Sequence, residues 1–536
     1  MKNIFFLLLL IPTVVLAQPQ VPLDWFHLCP DNDGYRGLNT TGAYELLEGR
    51  ESRTVVVAVI DSGVDIDHED LRDNVWVNPG ETAGTGRDDD GNGYADDING
   101  WNFIGGPDSN VIYDNLEITR LYRKFRDKYA ERDPMELNRR ERKEYARYLS
   151  YKRAYQRGRE NSKNNYEQFK EFTDRLLLSI DKVMLAIGDE PLTEEALLNI
   201  DPQGDRDVSF GVQVLLNFLE DYPDADYDNL REDLKENLTG GIEHYRSRYN
   251  YHYNVDFCPR HLVNDNYDDQ EERYYGNNEV GGEFSQHGTH VAGIIGAVRD
   301  NDIGIDGIAD NVRIMSIRTV PNGDERDKDV ANAIRYAVDN GASVINMSFG
   351  KGYSWNKQVV DDAIRHADRN DVLLVHAAGN SAQNNDLNDN FPNPVFERRR
   401  FLGPRQARNW IEVGALNYEN PPTLVASFSN YGKETVDVFA PGNFIYSTVP
   451  GDDYQDLQGT SMASPMVAGL AALLRSYFPD FSAREIKAII EDSAIREDAE
   501  VTRPSDRELV HFSELSSTGG YINAYEAVKL AIERSN

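Results

Sequence analysis

An α/β fold built on a doubly wound, mostly parallel sheet is expected from three observations. The run Thr54-Val55-Val56-Val57-Ala58-Val59-Ile60 is apolar on both faces, as a strand covered on both sides must be. Strand-like and helix-like segments alternate from residue 313 to residue 375. Apolar residues make up 40% of the 536, enough to fill a large core.

The elements follow in order. The strand over 54–60 runs into Asp61-Ser62-Gly63. Open α/β sheets carry their chemistry at the carboxyl ends of strands, although a lone aspartate there reads equally well as a turn residue. Residues 313–317 read as a strand, 330–340 have helical spacing, 343–347 form a strand, 359–369 a helix and 372–375 a third strand. This alternation implies βαβ crossovers. Residues 464–477 form an apolar helix, in which Ala468 and Gly469 allow close approach to the sheet. Ser482 with Glu485 makes a capping box ahead of Ile486, Ile489 and Ile490.

Residues 104–280 break the rhythm. They are rich in Arg, Lys, Glu, Asp and Tyr, and Phe172, Leu176, Ile180, Val183 and Ile187 fall on one helical face. A mostly helical insertion with its own small core is expected there, dividing the α/β domain into 53–103 and 281–536. Its position between two chemistry-bearing segments suggests a cover for the cleft. Residues 18–52 form a separate N-terminal segment.

The formal net charge of −35 repels phosphates, so no nucleic acid partner is expected. The start, Met1-Lys2-Asn3, precedes an apolar run from Ile4 that closes with Val15-Leu16-Ala17. This pattern predicts a signal peptide over 1–17 and export to the periplasm, cell surface or medium. No later stretch is apolar for long enough to span a bilayer, so the mature chain should lack a transmembrane segment. Two cysteines, Cys29 and Cys258, could pair in such a compartment, but nothing in the sequence brings them together.

Three segments are more specific: Val59-Ile60-Asp61-Ser62-Gly63-Val64-Asp65, His287-Gly288-Thr289-His290-Val291-Ala292-Gly293, and Gly459-Thr460-Ser461-Met462-Ala463-Ser464-Pro465. Together, and in the order Asp, His, Ser, they resemble the subtilisin-like serine proteases. Ala377-Ala378-Gly379-Asn380 is similar to that family's oxyanion loop, and residues 343–350 to its substrate-holding strand. The resemblance implies a serine endopeptidase acting on protein or peptide substrates, with no organic cofactor. Asp61 would orient His287, His287 would take the proton of Ser461, and Asn380 would donate to the oxyanion. Ser348, Phe349, Gly350 and Gly379 would hold the extended substrate, and the 348–350 segment would wall the pocket for the residue before the scissile bond. No acidic residue marks that rim, so a neutral or apolar preference is expected. The bland readings place His290 and His376 in structural roles and His68 on the surface.

Two other readings compete. A silent homologue that only binds peptides would not need all four residue types. An esterase would need a G-x-S-x-G elbow, and Gly459-Thr460-Ser461-Met462-Ala463 lacks the second glycine.

Asp88-Asp89-Asp90-Gly91-Asn92-Gly93-Tyr94-Ala95-Asp96-Asp97 matches the first half of a calcium loop, oxygen ligands at alternate positions and then a glycine. Asn99 stands where an EF-hand has its glutamate. A structural calcium ion on Asp88, Asp90, Asn92 and Asp96 is expected. The chain departs from the resembled family in the long Asp61-to-His287 spacing. The residues between 17 and the strand that ends at Asp61 are also too few for a folding propeptide.

Overall fold

A computed structural model of the protein describes residues 21–188, 190–221, 230–282, 284–398 and 403–536; the expected signal peptide lies outside them. The chain divides into two compact units, Ile118–Phe257 and Pro22–Glu117 with Cys258–Asn536.

The larger unit contains thirteen strands among the described residues: β1 (Val55–Asp61), β2 (Gly100–Asn102), β3 (Val312–Arg318), β4 (Val344–Met347), β5 (Leu373–Ala377), β6 (Trp410–Leu416), β7 (Val438–Pro441), β8 (Ile445–Val449), β9 (Asp453–Leu457), β10 (Ile495–Arg496), β11 (Glu500–Thr502), β12 (Leu509–His511) and β13 (Gly520–Tyr521). Nine form one sheet in the order β2-β3-β1-β4-β5-β6-β7-β13-β10. Every neighbouring pair is parallel except β10 with β13. Strands β8 and β9 make a separate antiparallel pair, as do β11 and β12.

The register decides where chemistry can sit. Ile60 of β1 lies opposite Met347 of β4, and Met347 lies opposite His376 of β5. The residues that follow, Asp61, Ser348 and Ala377, are therefore carried to one rim, at the carboxyl ends of the strands.

Helices Asp327–Asp339 and Lys357–Arg369 cover one face, where Ile334 and Ile364 join Ile60, Met315, Ile345 and Leu374 in a common core. Helices Gln286–Gly296 and Thr460–Tyr477 pack against the other face. The capping box holds as expected: the Ser482 hydroxyl accepts from the Glu485 N–H at 3.3 Å, and the Glu485 carboxylate accepts from the Ser482 N–H at 2.8 Å. Cys29 and Cys258 are not joined in a disulfide.

The unit Ile118–Phe257 is helical. Its longest element, Arg139–Ile187, runs for 49 residues and starts on a reciprocal capping box between Asn138 and Glu141. Leu176, Ile180, Val183 and Ile187 are buried on one side of it with Leu197 and Leu215, and Phe172 is partly buried beside them. A second cluster joins Tyr129, Leu137 and Tyr148. No helix among the described residues is long and apolar enough to cross a membrane.

This unit is shorter than the 104–280 span that composition marks out. Ile104, Val111, Val263 and Tyr275 belong to the sheet's own core. Segment 258–275 is also tied to helix Asp327–Asp339 by buried charge. Arg260 donates to Asp329 at 2.6 and 2.8 Å and to Asp265 at 2.7 and 2.8 Å, while Lys328 donates to Asp265 and Glu272, both at 2.7 Å. The Lys328 side chain is fully buried and that of Arg260 is 7% exposed. Deleting one member of a buried charge network leaves the others unneutralised away from water. Arg260→Ala is therefore expected to lower unfolding stability by about 3–5 kcal/mol, read as a shift of the denaturant midpoint; a loss within ordinary surface-mutant scatter would show that water compensates the pair.

Candidate active site

Asp61 ends β1, is 1% exposed, and accepts from the Ser62 N–H and from His287 Nδ1, both at 2.7 Å. A carboxylate can only accept, so Nδ1 carries the proton and His287 Nε2 is left as the basic nitrogen. The second Asp61 oxygen, Oδ2, is buried and has no hydrogen-bond partner among the described residues. Its charge is therefore little spent on other donors beside the imidazole. His287 stands in the first turn of helix Gln286–Gly296, and that helix comes close to β1 because residue 288 is glycine. A Cβ there would lie 2.1 Å from the Gly63 carbonyl oxygen.

The His287 side chain remains 38% exposed. Partial burial acts to lower its pKa. The Asp61 charge and hydrogen bond act the other way and prevail, so the imidazole titrates above its ordinary 6.5. His290, one turn on, differs. Its Nε2 sits 2.9 Å from the Ile445 carbonyl and 3.0 Å from that of Gln455, and burial holds its pKa down to about 4. It is a neutral tie between this helix and the β8–β9 hairpin.

Ser461 is the second residue of helix Thr460–Tyr477, where backbone N–H groups lack helical acceptors. Gly459 precedes the helix at φ 152°, a backbone geometry that favours glycine. Four residues after the serine comes Pro465, which has no N–H to give to the Ser461 carbonyl. The Ser348 hydroxyl donates to that carbonyl instead, at 2.9 Å. Ser461 Oγ in turn donates to the Ser348 carbonyl at 3.0 Å. Asn346 Nδ2 (2.9 Å) and the Ser464 hydroxyl (2.8 Å) fix Ser348 from behind. Neither was singled out in the sequence; the readable signal was the proline four residues after the serine. Among the described residues no hydrogen bond joins Ser461 to His287.

Asn380 follows Gly379 at the end of β5. Its Oδ1 accepts from the Thr460 N–H at 2.8 Å and the Thr460 hydroxyl at 2.9 Å. An N–H can only donate, so the end facing Thr460 is the oxygen, and Nδ2 is the end left to donate elsewhere. The Thr460 hydroxyl also accepts from the Gly379 N–H at 3.0 Å. Ser348, Phe349 and Gly350 follow β4, and Gly379 follows the neighbouring β5. His376 is buried, with Nδ1 3.0 Å from Glu412 Oε2 and its ring against Trp410 and Phe349.

His68 departs from its expected surface position. It is fully buried, with Nε2 3.1 Å from the Asp453 carbonyl, and Tyr454 packs edge-on against its ring. The β8–β9 hairpin, far away in sequence, covers it.

The acidic loop also differs in detail from the expected ligand set. Asp88 is occupied as a turn cap, accepting from the N–H groups of Gly91 (2.7 Å), Asn92 (3.0 Å) and Gly93 (2.8 Å). Asp96 accepts from Thr85 (3.1 Å) and Gly86 (2.7 Å). Asn92 turns its amide nitrogen toward Asp97, at 3.0 Å. The carboxylates that converge are Glu81, Asp90 and Asp97, with oxygens within 4.8 Å of one another. Burial pushes Asp97 up to about 6 despite hydrogen bonds from Tyr336, Asn92 and Asn78 that lower it. Glu81 lies outside the motif and Asp97 looks like one more acid of the run, so spacing could not identify them.

Residues 52–514 match the subtilase family. The chain belongs to the subtilase family. It is 38% identical over 252 residues to the thermophilic serine proteinase of Bacillus sp. (strain AK1), covering 46% of this chain and 53% of that one. It is 37% identical over 249 residues to thermitase of Thermoactinomyces vulgaris, covering 45% and 75%. The chain thus spans about half the length of the first relative. A solved protease structure from Pseudoalteromonas arctica PAMC 21717 aligns over 96% of this subtilase and 98% of its own chain, at 20% identity and a TM-score of 0.46.

If Asp61 is what holds the imidazole up, removing its charge should leave burial to act alone. In Asp61→Asn the His287 ring protons, followed by NMR against pH, should titrate below 6.5 instead of above it. An unmoved midpoint would assign the elevation to another group.

Proposed function

We propose that this subtilase is a serine endopeptidase in which Ser461 is the nucleophile, His287 the base, Asp61 the group that orients it and Asn380 an oxyanion donor. The observation that carries the reading is the 2.7 Å contact between Asp61 and His287, which leaves Nε2 basic at the rim where Ser461 and Asn380 also stand. The first step requires Ser461 Oγ to leave the Ser348 carbonyl by rotation about its Cα–Cβ bond. His287 Nε2 then takes the hydroxyl proton as the oxygen attacks the peptide carbonyl. Negative charge on the carbonyl oxygen is met by Asn380 Nδ2 and the Ser461 N–H at the helix start. The imidazolium formed lies against Asp61 and returns its proton to the leaving amine, and water repeats the sequence to free the acid. The site therefore needs His287 neutral before the attack, and kcat/KM should rise with pH through an apparent pKa above 6.5. The expected signal peptide places this chemistry outside the cytoplasm, on protein or peptide substrates.

A small fluorophosphonate should label the protein at Ser461, and Ser461→Ala should abolish both labelling and peptide hydrolysis while circular dichroism stays unchanged. Hydrolysis retained by that variant would end the assignment.

We further propose that the acidic loop holds a calcium ion on Glu81, Asp90 and Asp97. Three converging carboxylates are hard oxygen donors of the kind calcium takes, and the ion would offset their mutual repulsion. A ligand bound only by the folded state stabilises it by mass action. Excess EDTA is expected to lower the melting temperature and calcium to restore it, with both responses lost in Asp90→Ala. Equal melting curves with and without the chelator would remove the ion from this loop.

A further inference from the structure

Two arginines share a cavity, and neither has a carboxylate partner among the described residues. The cavity measures about 60 Å³, and Arg273, Arg335, Asn92, Tyr94, Tyr274 and Asp339 contribute to its lining. Arg335 lies in helix Asp327–Asp339. That helix returns the chain from the carboxyl end of β3 to the amino end of the parallel strand β4. The cavity at its last turns is therefore at the edge of the sheet opposite to Asp61.

Arg335 is only 9% exposed. Its two terminal nitrogens donate to neutral groups, one to Asn332 Oδ1 and the other to the Val359 carbonyl, both at 3.1 Å. Asn332 turns its oxygen that way because its nitrogen donates to the Glu272 carbonyl (2.9 Å) and the Tyr275 hydroxyl (3.1 Å). The acids nearby are engaged elsewhere. Asp362 pairs with Arg365 at 2.9 Å, and Asp339 meets His366 Nε2 at 2.6 Å. A cation so enclosed is costly without a counter-ion. Burial first, and the Arg273 charge second, pull the pKa of Arg335 below its ordinary value; Glu271 and Asp362 act the other way without prevailing. Arg273 itself is exposed. An anion in the cavity would relieve both the burial of one guanidinium and its repulsion by the other.

Charge, size and surface narrow that anion. Asp339 and the acidic loop stand close by, so a single negative charge suits the field better than a double one. A water molecule takes about 30 Å³ of liquid, so the cavity admits a head group of roughly two water volumes and leaves the rest of a ligand outside. Tyr274 lines the cavity yet is 64% exposed, so its ring reaches from the cavity to the surface. The ring lies over Gly93, close enough to exclude a Cβ there, and is tilted against Tyr94 with 5.6 Å between centroids. The Tyr94 hydroxyl donates to the Arg273 carbonyl at 3.2 Å and so holds the segment that carries both Arg273 and Tyr274. A planar carboxylate matches the guanidinium fork, and an aromatic body matches an exposed ring beside it.

We propose that this cavity binds the carboxylate of an aromatic acid, with Arg335 as the buried anchor, Arg273 as the second clamp and Tyr274 as the platform for the ring. The same head and body are offered by a free aromatic acid and by the C-terminus of a peptide that ends in an aromatic residue. The site is separate from Asp61, His287 and Ser461 and does not depend on the endopeptidase reading.

The test is calorimetric titration of the full chain. Benzoate stands for the free acid and N-acetylphenylalanine for the chain end; N-acetylphenylalanine amide, and chloride at matched ionic strength, are the controls. At least one carboxylate should bind saturably and neither control should. Binding of N-acetylphenylalanine alone assigns the site to chain ends, and binding of benzoate extends it to free acids. Arg273→Gln, a change at the surface, should weaken binding by about tenfold, the worth of one charge-assisted hydrogen bond. Arg335→Gln should weaken it at least as much. No saturable binding of either carboxylate overturns the proposal. So does equal affinity for the amide, or an affinity that Arg273→Gln leaves unchanged. If Arg335→Gln fails to fold, Arg273→Gln decides the matter on its own.

Discussion

The Ser461 carbonyl would be satisfied within its own helix if residue 465 could donate, and Pro465 cannot. That single missing N–H is made good by the Ser348 hydroxyl at 2.9 Å, and much of the site depends on the exchange. It links the helix that carries the serine to the segment that leaves β4. Ser348 is itself held by Asn346 and Ser464, so the link is a small network rather than one contact. Two parts of the site, the start of the helix carrying Ser461 and the segment beside it, are thus joined through one hydroxyl. Thr460 does the same on the other side, joining Gly379 and Asn380 to the helix start. The parallel register brings the segments to one rim, and these hydroxyls set their spacing.

Much of this was legible in the sequence. The β-branched run before Asp61, the alternation from 313 to 375 and the capping box at Ser482 are local patterns, and the structure contains the corresponding strands and helices. The insertion's apolar face was legible too, because helical periodicity survives whatever the helix packs against. What escaped depends on distant partners. Strand β6 carries Glu412 in an otherwise apolar stretch, which is tolerated because His376 and the Trp410 indole hydrogen-bond it. Strands β10 and β13 are two residues each, too short for any period to show. His68 sits among Asp65, Asp67, Glu69 and Asp70 and so reads as surface, but a hairpin more than three hundred residues later buries it. The carboxylates that converge were hidden for the same reason: spacing along the loop says which acids are near in sequence, not which oxygens the fold brings together.

The chemical orientation of side-chain amides recurs as a device. In Asn380 two donors from Thr460 fix the oxygen inward and leave a donor outward. In Asn390 the Ala377 and Ala378 carbonyls, 3.2 and 3.0 Å from Nδ2, fix the nitrogen inward and leave the oxygen outward. The same residue type therefore presents opposite polarity at two places, and in each case the groups it faces decide which.

The helix Arg139–Ile187 has a consequence for the protein's own survival. An enzyme that takes its substrates as extended strands needs main-chain N–H and C=O groups free to pair across the cleft. Forty-nine consecutive residues wound into one helix keep nearly all of those groups engaged internally, and opening any part means giving up several bonds together. Wound up, the segment offers an endopeptidase of the proposed kind no extended backbone to pair with.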